Sequence, residues 1–420
     1  MTVLKMPLLS HISRLVDDNL PRSKGLQEIK KIIPHLGAES AQSQTPRETV
    51  LDLLKTRLIV PTQYGSRDQA EIDDIEEAVS TLLAAQDWRG LSDLIKRLDR
   101  SRVCTPSGIR HLEIATYYIR GELSAFYEEP TTDYCEYAFG FSDETIELIR
   151  DAAEAFPDSY ALAALLARLH LDCGWAARAD DDPTVMTAHY DQARQLVTTF
   201  DPVLYNSPFL AEIQYRLCIG LPDGHDRIGA AFSDWCDLDP GNITALKQHA
   251  FLCLPSWFGS AEIIDFEARA VMSQTQNTMG AAAYTVMMIQ ALKFDKTATI
   301  HLDADLFLQG FGDYLTYHKS DPFRVTAALR DLSEAFQLDE TNRSPAAFAF
   351  RGAAEKIYAA IGPILRPHLT VLSIPAWPGG ADPFLEWASC AYTDELLAGK
   401  RVTLRPAGCE ISEFCEMSPG

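Results

Sequence analysis

The chain has 420 residues, 47% of them apolar, and a formal net charge of −22; that length exceeds one ordinary globular core and suits a helical array or two to three domains. The charge is +3 over the first sixty residues and −25 over the rest, so the body has no basic stripe to displace counterions and nucleic acid is excluded as its ligand. No apolar run is long enough to span a membrane, and the N-terminus, broken by His11, Arg14 and Asp17, makes a poor signal peptide, so a cytoplasmic protein without a membrane partner is expected.

Taken in order, residues 7–18 and 24–33 suggest short helices, and Gly37 to Pro46 a polar linker. Pro46 suits a helix start, with Val50, Leu51, Leu53 and Leu54 following. A helical hairpin comes next: Ile72, Ile75, Val79, Leu82 and Leu83 recur at spacings of three and four, as do Trp88, Leu91, Leu94, Ile95 and Leu98. Such stripes bury against each other. A long helical pattern runs from Pro106 to about Tyr127. The stretch from Tyr127 to Phe141 then combines carboxylates with Tyr134, Tyr137, Phe139 and Phe141, between the breakers Pro130 and Gly140. A loop of that kind either tucks its rings into the helices or offers them to a ligand.

Ser142 or Asp143 can cap a helix to Phe156, and Asp158-Ser159 one from Tyr160 to Cys173. Trp175 and Arg178 follow one turn apart, as groove lining or simple packing. Asp180, Asp181 and Asp182 precede Pro183 and read as an acidic helix cap, since they lack the alternating ligands of a calcium loop. Hairpins then pair 184–199 with 207–219 and 226–238 with 243–253.

The centre of the pattern is Ala230 to Ala250, AAFSDWCDLDPGNITALKQHA. Ala230, Ala231, Phe232, Trp235 and Leu238 share a helix face. Asp239-Pro240 stops that helix, and Asn242 caps a second carrying Ile243, Leu246 and Ala250. Similar hand-offs occur at Phe156-Pro157-Asp158, Phe200-Asp201-Pro202, near Thr275-Gln276-Asn277 and at Leu338-Asp339-Glu340, mostly some forty residues apart, a spacing of helical solenoids.

This junction resembles that of the tetratricopeptide repeat family. Ala231 and Phe232 fall on core positions of the second helix, Pro240 on the repeat-ending proline, and Ala245-Leu246 on the opening of the next helix. Trp235 stands where the family prefers a small residue, and His249-Ala250 replaces its Leu-Gly pair. The resemblance spans about Asp143 to Phe350. It implies an all-α, right-handed superhelix of hairpins with a concave, peptide- or protein-binding face, and it transfers no catalytic residue.

Further helices are predicted over 260–273, 278–292, 303–318, 322–337, 345–360 and 384–398. Leu369 to Ile374 and Arg401 to Arg405 favour strands that flank the last of these as a small α/β cap, with residues 407–420 fraying. The predicted organisation is thus an N-terminal helical segment or arm at 1–60, the hairpin array at 61–362, and a mixed cap and tail at 363–420.

Chemical motifs are scarce. There is no phosphate loop, dinucleotide fingerprint or nucleophile elbow. Nine cysteines, odd in number and without a C-x-x-C, read as buried small hydrophobes in a reducing compartment. His301, Asp303 and Asp305 share a face only in an extended segment, and Asp303 reads as a helix cap rather than a metal ligand. No catalytic residue, cofactor or metal is assigned. The function expected is a non-enzymatic scaffold holding a protein or peptide, a basic one suiting the acidic body. Its contact candidates are Tyr134, Tyr137, Phe139, Trp175 and Arg178. The alternative is an enzyme whose helices enclose a small-molecule pocket.

Overall fold

Helices occupy most of the residues that the computed structural model describes, 46–128, 138–179, 182–337, 344–377 and 382–414. In chain order they begin with α1 (Pro46–Arg57), β1 (Leu58–Ile59), β2 (Thr62–Gln63), α2 (Gln69–Ala84), α3 (Trp88–Ser101) and α4 (His111–Leu123). There follow β3 (Phe126–Glu128), β4 (Ala138–Gly140), α5 (Asp143–Ala155), α6 (Tyr160–Ala179), α7 (Pro183–Val197), α8 (Pro202–Tyr205), α9 (Pro208–Leu217), α10 (Gly224–Leu238), α11 (Ile243–Leu252) and α12 (Ala261–Met279). The rest are α13 (Ala282–Phe294), α14 (Ala304–Tyr317), α15 (Pro322–Ala335), α16 (Pro345–Leu365), β5 (Leu372–Ser373), α17 (Asp382–Ser389), α18 (Thr393–Leu397), β6 (Lys400–Arg405) and β7 (Gly408–Glu413). The chain is all-α with a small mixed segment near its C-terminus, as its periodicity predicts. The helices expected at 7–18 and 24–33, the linker after them, and the hand-off at Leu338 lie outside the described residues.

Helix starts follow side-chain chemistry. Asp87, Ser142, Asp182, Asn242 and Asp303 each accept a hydrogen bond from a backbone N–H of the first turn, satisfying donors that a helix leaves open. Asp303 is therefore a cap, as expected. One expected hand-off is displaced by a few residues: Thr275, Gln276 and Asn277 lie inside α12, which runs on to Met279 before α13 begins at Ala282. Helix α12 stops at Gly280, whose φ of +61° is the left-handed conformation that ends helices. Polar residues alone do not break a helix whose apolar face stays packed.

The chain folds into two compact units, Arg67–Thr278 and, in the other, Met279–Gly420 with the segment ending at Ser66. The first holds α2 to α12. Its core takes in Val79, Leu91 and Ile95 of the predicted stripes, together with Ile149, Leu165, Leu169 and Ile213, all fully buried. Successive helices pair at α2–α3, α6–α7 and α9–α10, whereas α4 packs chiefly on α2 and α5 on α6.

In the second unit, Phe336 sits among Phe307, Phe350, Tyr358 and Trp387, with ring centroids 5.6–6.1 Å away. Helices α13 and α14 approach closely at Gly310, where a Cβ would collide with the Ala281 carbonyl oxygen and the Thr285 hydroxyl. Gly310→Ala is expected to destabilise by about 1–3 kcal/mol through overpacking, seen as a lower urea midpoint at unchanged m-value; an unmoved midpoint would refute the close packing.

The C-terminal strands pair differently from expectation. Leu372–Ser373 pairs in parallel with Thr62–Gln63, and Lys400–Arg405 in parallel with Leu58–Ile59, so the two expected strands belong to separate sheets. Nor does the tail fray from residue 407. Gly408–Glu413 forms an antiparallel ladder with β6, because Gly408, at φ +131°, lets the chain reverse.

Candidate functional site

The apolar run of α6, ALAALLARLHLDC, is interrupted by Arg168, His170 and Asp172. Residues four apart share a helix face and those two apart do not, so Arg168 and Asp172 point one way and His170 another. On the Arg168 face, charges alternate along a chain of contacts. Arg120 of α4 donates to Asp172 at 3.0 Å, Arg168 Nε to Asp172 at 3.2 Å, Arg168 Nη1 to Glu212 of α9, and Arg216 Nε to Glu212 at 2.8 Å. Arg120, Arg168, Arg216 and Asp172 are each under 10% exposed. Burial of so many charges is tolerable only when each is met by an opposite charge.

These arginines face a cavity of about 450 Å³, within the range of pockets that hold small molecules or peptide segments. Its other walls are Ile72 and Glu76 of α2, Ile109 just before α4, Glu113, Ile114, Thr116 and Tyr117 of α4, Trp235 of α10, and Thr244 and Gln248 of α11. A smaller cleft shares Glu113, Thr116, Glu212 and Trp235 with it and continues to Asp99, Arg102, Arg110 and Asp239.

Contacts join distant segments of the array. Arg102 Nε donates to the Leu238 carbonyl at 2.7 Å, Arg110 Nε to Asp239 at 3.0 Å, and the Thr244 hydroxyl to Glu113 at 3.2 Å. In a simple solenoid each repeat touches only its neighbours. Here the α3–α4 corner meets the α10–α11 corner beside this space.

The residues that depart from the tetratricopeptide pattern take part in this construction. Trp235 is 2% exposed, lines the cavity and packs on Tyr215 and Phe232. His249 is fully buried, stacked on Phe232 at 3.9 Å, with Tyr215 Oη 3.1 Å from Nδ1 and Glu267 3.3 Å from Nε2. Burial holds its pKa down and Glu267 opposes that shift.

On the other face of α6, His170 Nδ1 lies 3.0 Å from His189 Nδ1 of α7. One nitrogen donates and one accepts. His170 Nε2 is buried without a hydrogen-bond partner, and an unmet acceptor is the less costly arrangement, which favours a proton on His170 Nδ1. Burial, His189 and Arg150 together push the His170 pKa down to about 4.

Of the predicted contact residues, Tyr134 and Tyr137 lie outside the described residues. Phe139 is 1% exposed, edge-on to Tyr117 at 5.7 Å and 4.6 Å beneath the Arg120 guanidinium, so it is tucked in and buttresses two lining residues. Trp175 is buried and stacked on Trp257 at 5.3 Å, with exposed Arg178 against both rings; neither lines the cavity. The lining residues Glu113, Arg120, Arg168, Glu212, Arg216 and Gln248 were not singled out in the sequence. The available signal was charge inside apolar helical runs, clearest in α6. Among the described residues no group of three or more His, Cys, Asp or Glu side chains is arranged to hold a metal ion. Compared with known protein families, curated proteins and solved structures, the chain matches none.

Proposed function

We propose that residues 67–278 are a peptide-binding module of tetratricopeptide-like type, taking an extended segment of a partner protein into the cavity. The observation that supports this reading is the convergence of α2, α4, α6, α9, α10 and α11 on one space with polar side chains facing in. Prepositioned helices of this kind recognise a chain through a few fixed polar groups and aromatic contacts at little ordering cost. The mixed charge of the walls argues against a purely basic partner, which the acidic composition favoured. The cytoplasm is the proposed setting, since each described cysteine is a free thiol.

The test is selection of binders from a random-peptide phage library on the full chain, with Thr116→Trp as counter-screen. Thr116 faces both the cavity and the adjoining cleft, so an indole there fills the space. The expected result is a set of related peptides lost with Thr116→Trp. Peptides bound equally by both proteins would refute the cavity as their site.

A further inference from the structure

The charges lining the cavity are balanced and engaged with one another. Glu76, Glu113 and Glu212 stand against Arg120, Arg168 and Arg216. Arg120 and Arg168 share Asp172, Arg168 and Arg216 share Glu212, and Glu113 accepts from the Thr244 hydroxyl. All three guanidinium groups and Asp172 are buried. A charge carried in by a ligand would lose its water and could meet an opposite charge only by drawing it from one of these contacts, which leaves another buried charge short of its partner. Glu76 is half-buried, where water screens an ion pair and little is gained from it. Between the charged groups the lining offers apolar surface: Ile72, Ile109, Ile114, Tyr117 and the buried Trp235. Tyr117 is 44% exposed, and Phe139 holds its ring from one side, so an aromatic surface is already in place for an incoming group at little ordering cost.

From this balance we infer that the cavity selects an uncharged segment, seated by one aliphatic or aromatic side chain among Ile114, Tyr117 and Trp235, and that it rejects a charged side chain of either sign at that position. The inference rests on the peptide-binding reading and adds the chemistry of the ligand. An apolar anchor gains burial without disturbing the arginine chain. Lysine or glutamate at the anchor brings a comparable aliphatic stem together with a charge that must be desolvated for no free counter-charge, and specificity arises from that penalty.

The experiment starts from peptides selected from the random library on the full chain and lost with Thr116→Trp, synthesised with both termini blocked and titrated by fluorescence anisotropy. The position they share should be aliphatic or aromatic. Replacing it by an apolar residue of similar size should keep the affinity within about threefold, whereas lysine and glutamate should each weaken it tenfold or more. Raising NaCl from about 0.05 M to about 0.5 M, which shortens the screening length about threefold, should change Kd by less than threefold. On the protein, Tyr117→Ala should weaken binding tenfold or more with an unchanged circular-dichroism melt, and Tyr117→Phe should retain it. A charged residue at the shared position, a lysine or glutamate peptide bound within tenfold of its parent, or a salt effect of threefold or more overturns the inference and leaves the peptide-binding reading intact. A library that yields no peptide lost with Thr116→Trp removes both.

Discussion

Replacing Arg168 with leucine is expected to lower the free energy of unfolding by about 3–5 kcal/mol, the usual loss when one partner of a buried charge pair is removed. Arg168 is 4% exposed and touches both carboxylates of the chain that runs from Arg120 to Arg216. Leucine leaves Asp172 with Arg120 alone and Glu212 with Arg216 alone among the ion pairs described. The measurement is chemical denaturation of the full chain beside Arg168→Lys, which keeps the charge and loses the two-sided donor geometry. The lysine variant should fall between wild type and leucine. A leucine variant within about 1 kcal/mol of wild type would mean that water replaces the guanidinium without penalty, and the network would not be a structural element.

A second large effect is expected on acidification. The ordinary histidine pKa of 6.5 is lowered for His170 to about 4, first by burial and then by His189 and Arg150. His189 is lowered by burial too, against the pull of Asp143. Between these limits the unfolded chain binds more protons than the folded one, so stability falls as pH drops through 6.5 towards 4 and His170 contributes no further slope below that. At 1.36 kcal/mol per pKa unit the full loss approaches about 3 kcal/mol. His170→Phe removes the titration and keeps a buried ring. Its stability curve should be flatter than that of wild type between pH 6.5 and 4, with the two separated by about that amount. Parallel curves would show that the buried pair titrates as it does in the unfolded chain.

The two effects arise from opposite faces of one helix and illustrate what is legible in a sequence. Periodicity in α2, α3, α6 and α10 sufficed to place the helices, since an apolar stripe can be satisfied only by burial. Caps were equally legible: Asn242, Asp182 and Asp303 act locally, within three residues of their own position. The hand-off expected at Thr275 falls a few residues later because polar residues tolerate a helix interior once tertiary packing supports its other face. The pairing of the C-terminal strands β5 and β6 was missed for a related reason. Strand partners at Leu58 and Thr62 lie over three hundred residues away from β5 and β6, and no local pattern encodes such pairing.

By itself, then, the sequence determined the class of the protein: a mostly helical chain, a non-basic body, and polar residues set inside apolar helices. Only tertiary structure decided the site. Arg102 and Arg110 had to meet the turn at Leu238 and Asp239 before the array could close. Packing of α4, α6 and α9 brings Arg120, Arg168 and Arg216 together through Asp172 and Glu212. Helix formation depends on neighbours within a few residues, whereas a site assembled from distant hairpins depends on where those hairpins pack.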